Sequence, residues 1–108
     1  MSVKTENWDV GDFYQAFEQA SERAPDPRFT RQFHDLAQAI EPLQREFEKE
    51  SVRCGKDTAS LMEHLDWIVG KMGYCDKPRQ YPKECDDLDR KITEAIAEVD
   101  DLRKSCFT

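Results

Sequence analysis

No apolar run in this sequence reaches the ~18 residues that a membrane-crossing helix needs, so no helical span is expected. Basic runs are missing too. The 108 residues hold 16 Lys and Arg against 23 Asp and Glu, a formal net charge of -7. A free-standing nucleic-acid binder shows a basic face, and an acidic chain repels phosphate and anionic lipid. The expected electrostatic partner is therefore a basic protein surface, not nucleic acid or a membrane. Glycine and proline are scarce, 4 and 5 in the chain, while 36% of residues are charged. That balance suits helices with charged outer faces better than a β-sandwich. The opening MSVKTENWDVGDF has no apolar segment and carries acids early, unlike a secretory signal or an Arg-rich transit peptide.

The signatures of catalysis are also absent. There is no G-x-S-x-G, no Gly-rich phosphate loop and no Ser/His/Asp grouping. No C-x-x-C offers redox exchange. Structural zinc needs close ligand pairs such as C-x2-4-C, yet the nearest cysteines, Cys75 and Cys85, are separated by nine residues. A di-iron bundle needs Glu-x-x-His, but Arg31 precedes His34 and Leu61 precedes His64 at that spacing. Both histidines are expected on solvated or rim positions. We expect no enzymatic activity, no cofactor and no metal site.

What the sequence does carry is helical periodicity over one all-α domain, 1–108. After a polar lead-in over 1–9, Val10, Phe13, Phe17, Ala20 and Ala24 follow a 3-4 rhythm, the spacing of a packed helix seam. The prolines of APDPR, 24–28, interrupt it. Phe29, Phe33, Leu36, Ile40, Leu43 and Phe47 then resume the rhythm, which predicts a first antiparallel hairpin over 10–53. A second is predicted over 54–108. Cys54, Thr58, Leu61, Leu65, Ile68, Met72 and Cys75 form one seam; Cys85, Leu88, Ile92, Ala95, Val99, Leu102 and Cys106 form the other. In an antiparallel pair, facing residue numbers add to a constant, here 160. Cys54 then faces Cys106 and Cys75 faces Cys85, with five layers between. Facing seam positions can fall within the ~7 Å that a disulfide tolerates between Cα atoms, so the predicted staples are Cys54–Cys106 and Cys75–Cys85. The link between the hairpins allows two forms. One long helix from about 28 to 74 bends at Pro42, or the chain turns at Gly55-Lys56-Asp57, giving four compact helices.

Outside the seams, two groups of residues are possible docking elements. Ser60, Trp67 and Tyr74 form a stripe at seven-residue spacing on the third segment, with Met62 and Val69 as another. These side chains either pack on the first hairpin or, with Trp8 from the lead-in, anchor a partner, as aromatics do at interfaces. Seven acids against two bases over 85–102, including Asp86, Asp87, Asp89, Asp100 and Asp101, form an acidic stripe. It is either a solvated outer face or a docking strip for a basic partner.

A cysteine-stapled helical hairpin without a presequence resembles the coiled-coil-helix-coiled-coil-helix proteins of the mitochondrial intermembrane space and the acidic hinge subunit of the respiratory cytochrome complex. The resemblance is carried by Cys54, Cys75, Cys85 and Cys106. Here each arm holds twenty residues and the loop nine, whereas the family has its nine-residue gaps within the arms. The resemblance implies oxidative trapping in the intermembrane space and non-catalytic service as an accessory subunit or assembly factor. With reduced cysteines the chain reads instead as a cytoplasmic protein, a small acidic inhibitor or immunity-type protein that covers a basic site on a toxin or nuclease.

Overall fold

Two carboxylates start the first helix. In the computed structural model, which describes residues 7–44 and 55–105, Asp9 accepts the Asp12 N–H at 2.9 Å and Asp12 accepts the Asp9 N–H at 3.1 Å. This reciprocal capping satisfies two donors that a helix start leaves open, and α1 runs Val10–Arg23. Asp26 caps the next helix by accepting the Arg28 N–H at 2.9 Å. Pro27 takes the first helical position of α2, Pro27–Ile40, where its missing N–H leaves nothing unsatisfied. The break at APDPR therefore has one proline outside a helix and one inside.

α2 ends at Ile40, where the Glu41 N–H closes on the Ala37 carbonyl at 3.0 Å. Pro42 has no N–H to extend the ladder, and its ring would crowd the carbonyl four residues back. A single helix from 28 to 74 is thereby corrected: a new helical stretch begins at Leu43, beyond the proline. Gly55, expected with Lys56 and Asp57 to turn the chain, instead begins α3, Gly55–Lys71. The molecule measures 43 × 26 × 21 Å, whereas a continuous helix over 28–74 would be ~70 Å long at 1.5 Å per residue. Phe47 and the rest of 45–54 lie outside the described residues.

α3 tightens into a 3-10 turn, Met72–Asp76, and α4 runs Pro82–Ser105. Glu84 in its first turn and Arg103 and Lys104 in its last complement the helix dipole. Every described element is helical. α1 packs on α2, α2 on α4, and α3 on α4.

The core is continuous and follows the seams. Val10, Phe13, Phe17, Phe29, Phe33, Leu36, Ile40 and Leu43 are buried in the first half; Leu61, Leu65, Ile68, Leu88, Ile92, Ala95, Val99 and Leu102 are buried in the second. Full burial of such a Leu, Ile or Phe contributes roughly 1.5–3 kcal/mol. Rings join the first half: Phe13 stacks on Phe17 at 6.2 Å, Phe17 on Phe33 at 6.2 Å, and Phe29 tilts on Phe33 at 6.1 Å. Ala20 and Ala24, expected in that seam, are only half-buried. Ala37 and Val69 are buried although they lie off the seams. α2 touches both α1 and α4, which widens its buried stripe to include Ala37.

The contacts between α3 and α4 are antiparallel. His64 reaches both Glu94 and Glu98, on either side of position 96, and Tyr74 meets Cys85 near the other end. Cys75 and Cys85 are buried here, but both are free thiols. No bridge joins Cys75 to Cys85 in this structure, although the two buried thiols are neighbours. The Cys85 thiol donates to the Tyr74 carbonyl at 3.3 Å. Cys54 and Cys106 lie outside the described residues.

Candidate partner-binding surface

Residues 67 and 71 are four apart and share one side of α3, and residue 74 follows in the 3-10 turn. Trp67, Lys71 and Tyr74 occupy these positions, off the Leu61–Leu65–Ile68 seam. The Lys71 Nζ lies 6.0 Å from the Trp67 ring centre and 5.7 Å from that of Tyr74. From α4, the Lys91 Nζ approaches Trp67 at 5.8 Å. Tyr81, just before α4, meets Tyr74 edge-on at 4.8 Å. Each of these five side chains is half-buried. The result is a continuous aromatic surface with ammonium groups over ring faces, an attraction worth ~0.5–1 kcal/mol at exposed sites.

Trp67 packs partly against the core, as do Met62 and Ile96, while Ser60 is exposed. Of the two off-seam stripes, then, Val69 is absorbed into the core and the Trp67–Tyr74 stripe keeps an open side. Trp8 serves its own chain as well, with its ring edge-on to Phe13 at 5.2 Å.

The acidic stripe divides in two. At the start of α4, Asp86 pairs with Arg28 at 3.4 Å, an exposed contact with the Asp86 side chain 74% accessible. Asp89 accepts a hydrogen bond from the Gln32 amide, which also reaches the Thr93 hydroxyl at 3.1 Å. Asp87 pairs with Arg90 at 3.2 Å. These acids bind α2 or their own helix. Asp100 and Asp101, near the far end, are exposed.

His64 is more engaged than a rim position implies. Its Nδ1 lies 2.7 Å from the Glu98 carboxylate and its Nε2 lies 3.7 Å from Glu94. The two glutamates stand one helical turn apart and flank the position opposite His64, a signal present in the 160 register but not singled out. Tyr81, Lys71, Lys91 and Gln32 were likewise not singled out. Tyr81 lies in the loop, beyond the reach of helical periodicity, and Gln32 meets Asp89 across 57 positions. His34 is exposed.

Little here supports bond-making chemistry. Cys75 borders an open cleft of about 210 Å³ with Ala20, Ala24, Phe33 and Met72. Burial, reinforced by the neighbouring Cys85, pushes its thiol up to about 12. Burial also raises the Cys85 thiol. At neutral pH both stay protonated, the opposite of an activated nucleophile. Among the described residues no three His, Cys, Asp or Glu side chains are grouped to hold a metal ion, and no described helix is long and apolar enough to cross a membrane. No protein-family model, no curated protein and no solved structure matches this chain.

Proposed function

We propose that this chain is a non-catalytic helical interaction protein, an accessory or assembly component that holds a partner through the Trp67–Tyr74 face. The observation that carries this reading is the placement of large aromatics. The four buried phenylalanines fill the core, whereas Trp67, Tyr74 and Tyr81 stay half-buried with an open side. Trp and Tyr, with Arg, are the side chains enriched where binding energy concentrates at interfaces. Two antiparallel hairpins around one core would supply the rigid support that such a face requires. The compartment depends on cysteine oxidation: the mitochondrial intermembrane space if Cys54–Cys106 is bridged in the native protein, the cytoplasm if it is reduced.

A photo-crosslinker at Gly70 tests the reading, because Gly70 is exposed between Trp67 and Lys71 and an added Cβ meets nothing beyond its own stretch of helix within 4 Å. The expected result is a discrete crosslinked protein in cells, lost on Trp67→Ala. Equal crosslinking from exposed position Ala97, or no dependence on Trp67, would count against it.

A second reading, the acidic inhibitor or immunity-type protein, needs no oxidising compartment and draws on the exposed acids of α4. In that case Asp100 and Asp101, exposed at the far end of α4, meet the basic site of the target. Binding that weakens steeply with salt and on Asp100→Lys, with Trp67→Ala silent, would select it.

A further inference from the structure

We propose that the end of the molecule carrying Trp67, Tyr74 and Tyr81 docks a short acidic segment of a partner protein. This rests on reading that face as the partner-binding surface, and adds the chemistry of what covers it. The net charge of -7 suggests a basic partner, but charge is not evenly spread. Over 71–83, Lys71, Lys77, Arg79 and Lys83 stand against Asp76 alone. Lys77, Arg79 and Lys83 are exposed in the segment that carries Tyr81 and opens α4, and make no salt bridge among the described residues.

The nearby acids are already engaged. Asp86 faces Arg28, Asp87 faces Arg90, Asp89 accepts from Gln32, and Glu94 stands between Lys91 and His64. Asp76, Glu84 and, from the start of α2, Asp26, whose charge reaches Cys75 and Cys85, are outnumbered there by Lys71, Lys77, Arg79 and Lys83. Asp100 lies ~25 Å along α4 from Lys83, about three Debye lengths at physiological salt. A short carboxylate-bearing peptide on the tip would therefore meet the local positive field and little of the repulsion from the rest of the chain. A bilayer or a long nucleic acid extends past the tip and meets the acidic body, which disfavours both. The aromatic rings supply what charge alone cannot, a dry contact for an apolar side chain within the acidic segment.

The test uses fluorescence anisotropy with the full chain. The probes are a labelled Glu/Asp-rich peptide with one central Phe, the same peptide with Gln and Asn replacing the acids, and phosphatidylserine vesicles. The acidic peptide should bind, more weakly as salt rises. The triple variant Lys77→Glu, Arg79→Glu, Lys83→Glu should lose affinity by about tenfold or more. Asp100→Lys with Asp101→Lys should lose none. Helical circular dichroism verifies that the triple variant is folded, and Lys83→Gln alone should give a smaller loss in the same direction. Equal binding of the uncharged peptide overturns the acidic class while leaving the docking reading intact. Preferential vesicle binding, concentration-dependent self-association that occupies the tip, or no binding of any probe also overturns the proposal. The Gly70 crosslink decides the broader reading independently.

Discussion

The two halves of this molecule use aromatic residues in opposite ways. In α1 and α2 the rings of Phe13, Phe17, Phe29 and Phe33 are at most 1% exposed and stack on one another. In α3, α4 and the turn between them the core is aliphatic, built from Leu61, Leu65, Ile68, Leu88, Ile92 and Val99, and the aromatics stand outside it. Leucine, isoleucine and valine already fill the α3–α4 seam, so Trp67, Tyr74 and Tyr81 are not needed to close it. They cover the seam from outside and leave an apolar, cation-decorated surface. The first half has half-buried aromatics as well, Trp8 and Tyr14, but only there are aromatic rings buried in the core among the described residues.

The strongest way to break this comparison is to truncate one ring from each half. Phe17→Ala should cost about 3–5 kcal/mol in urea unfolding, because it removes a fully buried ring between two stacked neighbours. For a domain of typical stability, roughly 5–15 kcal/mol, that is severe. Trp67→Ala should cost less, about 2–3 kcal/mol, because part of its surface, unlike that of Phe17, stays in water. Comparable losses from both would mean that Trp67 is a core residue and the division between the halves is false.

The next effect concerns Cys75. Its thiol titrates near 12 in the folded chain against about 9 when unfolded. Burial is the main cause, and the neighbouring Cys85 adds to it. Because the folded pKa lies above the unfolded one, the unfolded chain loses its proton first as pH rises. This contribution to stability is intact below about pH 9 and declines toward pH 12. Comparing Cys75→Ala with the parent chain over that range isolates the effect from titrating lysines and tyrosines, and the parent should show the steeper decline. In the same protein at pH 8, iodoacetamide should modify Cys75 readily in urea and slowly without it.

A smaller loss is expected where the halves meet. Gln32→Ala removes the amide that bridges α2 to Asp89 and Thr93, and should cost about 1 kcal/mol by chemical denaturation. Arg28→Ala, which breaks only the exposed pair with Asp86, should cost less. The smallest effect has the opposite sign. Gly70 is exposed near the end of α3, and a Cβ there meets nothing beyond its own stretch of helix within 4 Å. Gly70→Ala should therefore raise stability by up to about 1 kcal/mol, read as a higher denaturant midpoint.

The all-α class and most of the core were legible because seam residues repeat every three or four positions, and burial follows that repeat from Val10 to Leu102. The helix starts were legible only in part. APDPR reads as a break, but the Asp9–Asp12 capping box and the placement of Pro27 inside α2 depend on backbone geometry that spacing does not reveal. Ala37 is buried because α2 has two neighbours, and no periodicity within one helix tells which other helix will lie against its second side. The same limit hid Gln32 and Arg28, whose partners on α4 lie 57 and 58 positions away. Seam spacing brought Cys75 and Cys85 together, and they are buried neighbours, but spacing says nothing of whether two thiols are oxidised. Trp67 and Tyr74 were visible as an off-seam stripe, whereas the lysines over them emerged only once α3 and α4 were placed side by side.

Hydroxyl-radical footprinting, run on the purified chain and again on the chain in native lysate, tests the division of the aromatics most directly. In purified protein Trp67, Tyr74 and Tyr81 should be oxidised readily while Phe13, Phe17, Phe29 and Phe33 are spared, and in lysate Trp67 and Tyr74 should become protected. Oxidation of the phenylalanines at a comparable rate, or Trp67 and Tyr74 equally reactive in both settings, would contradict it.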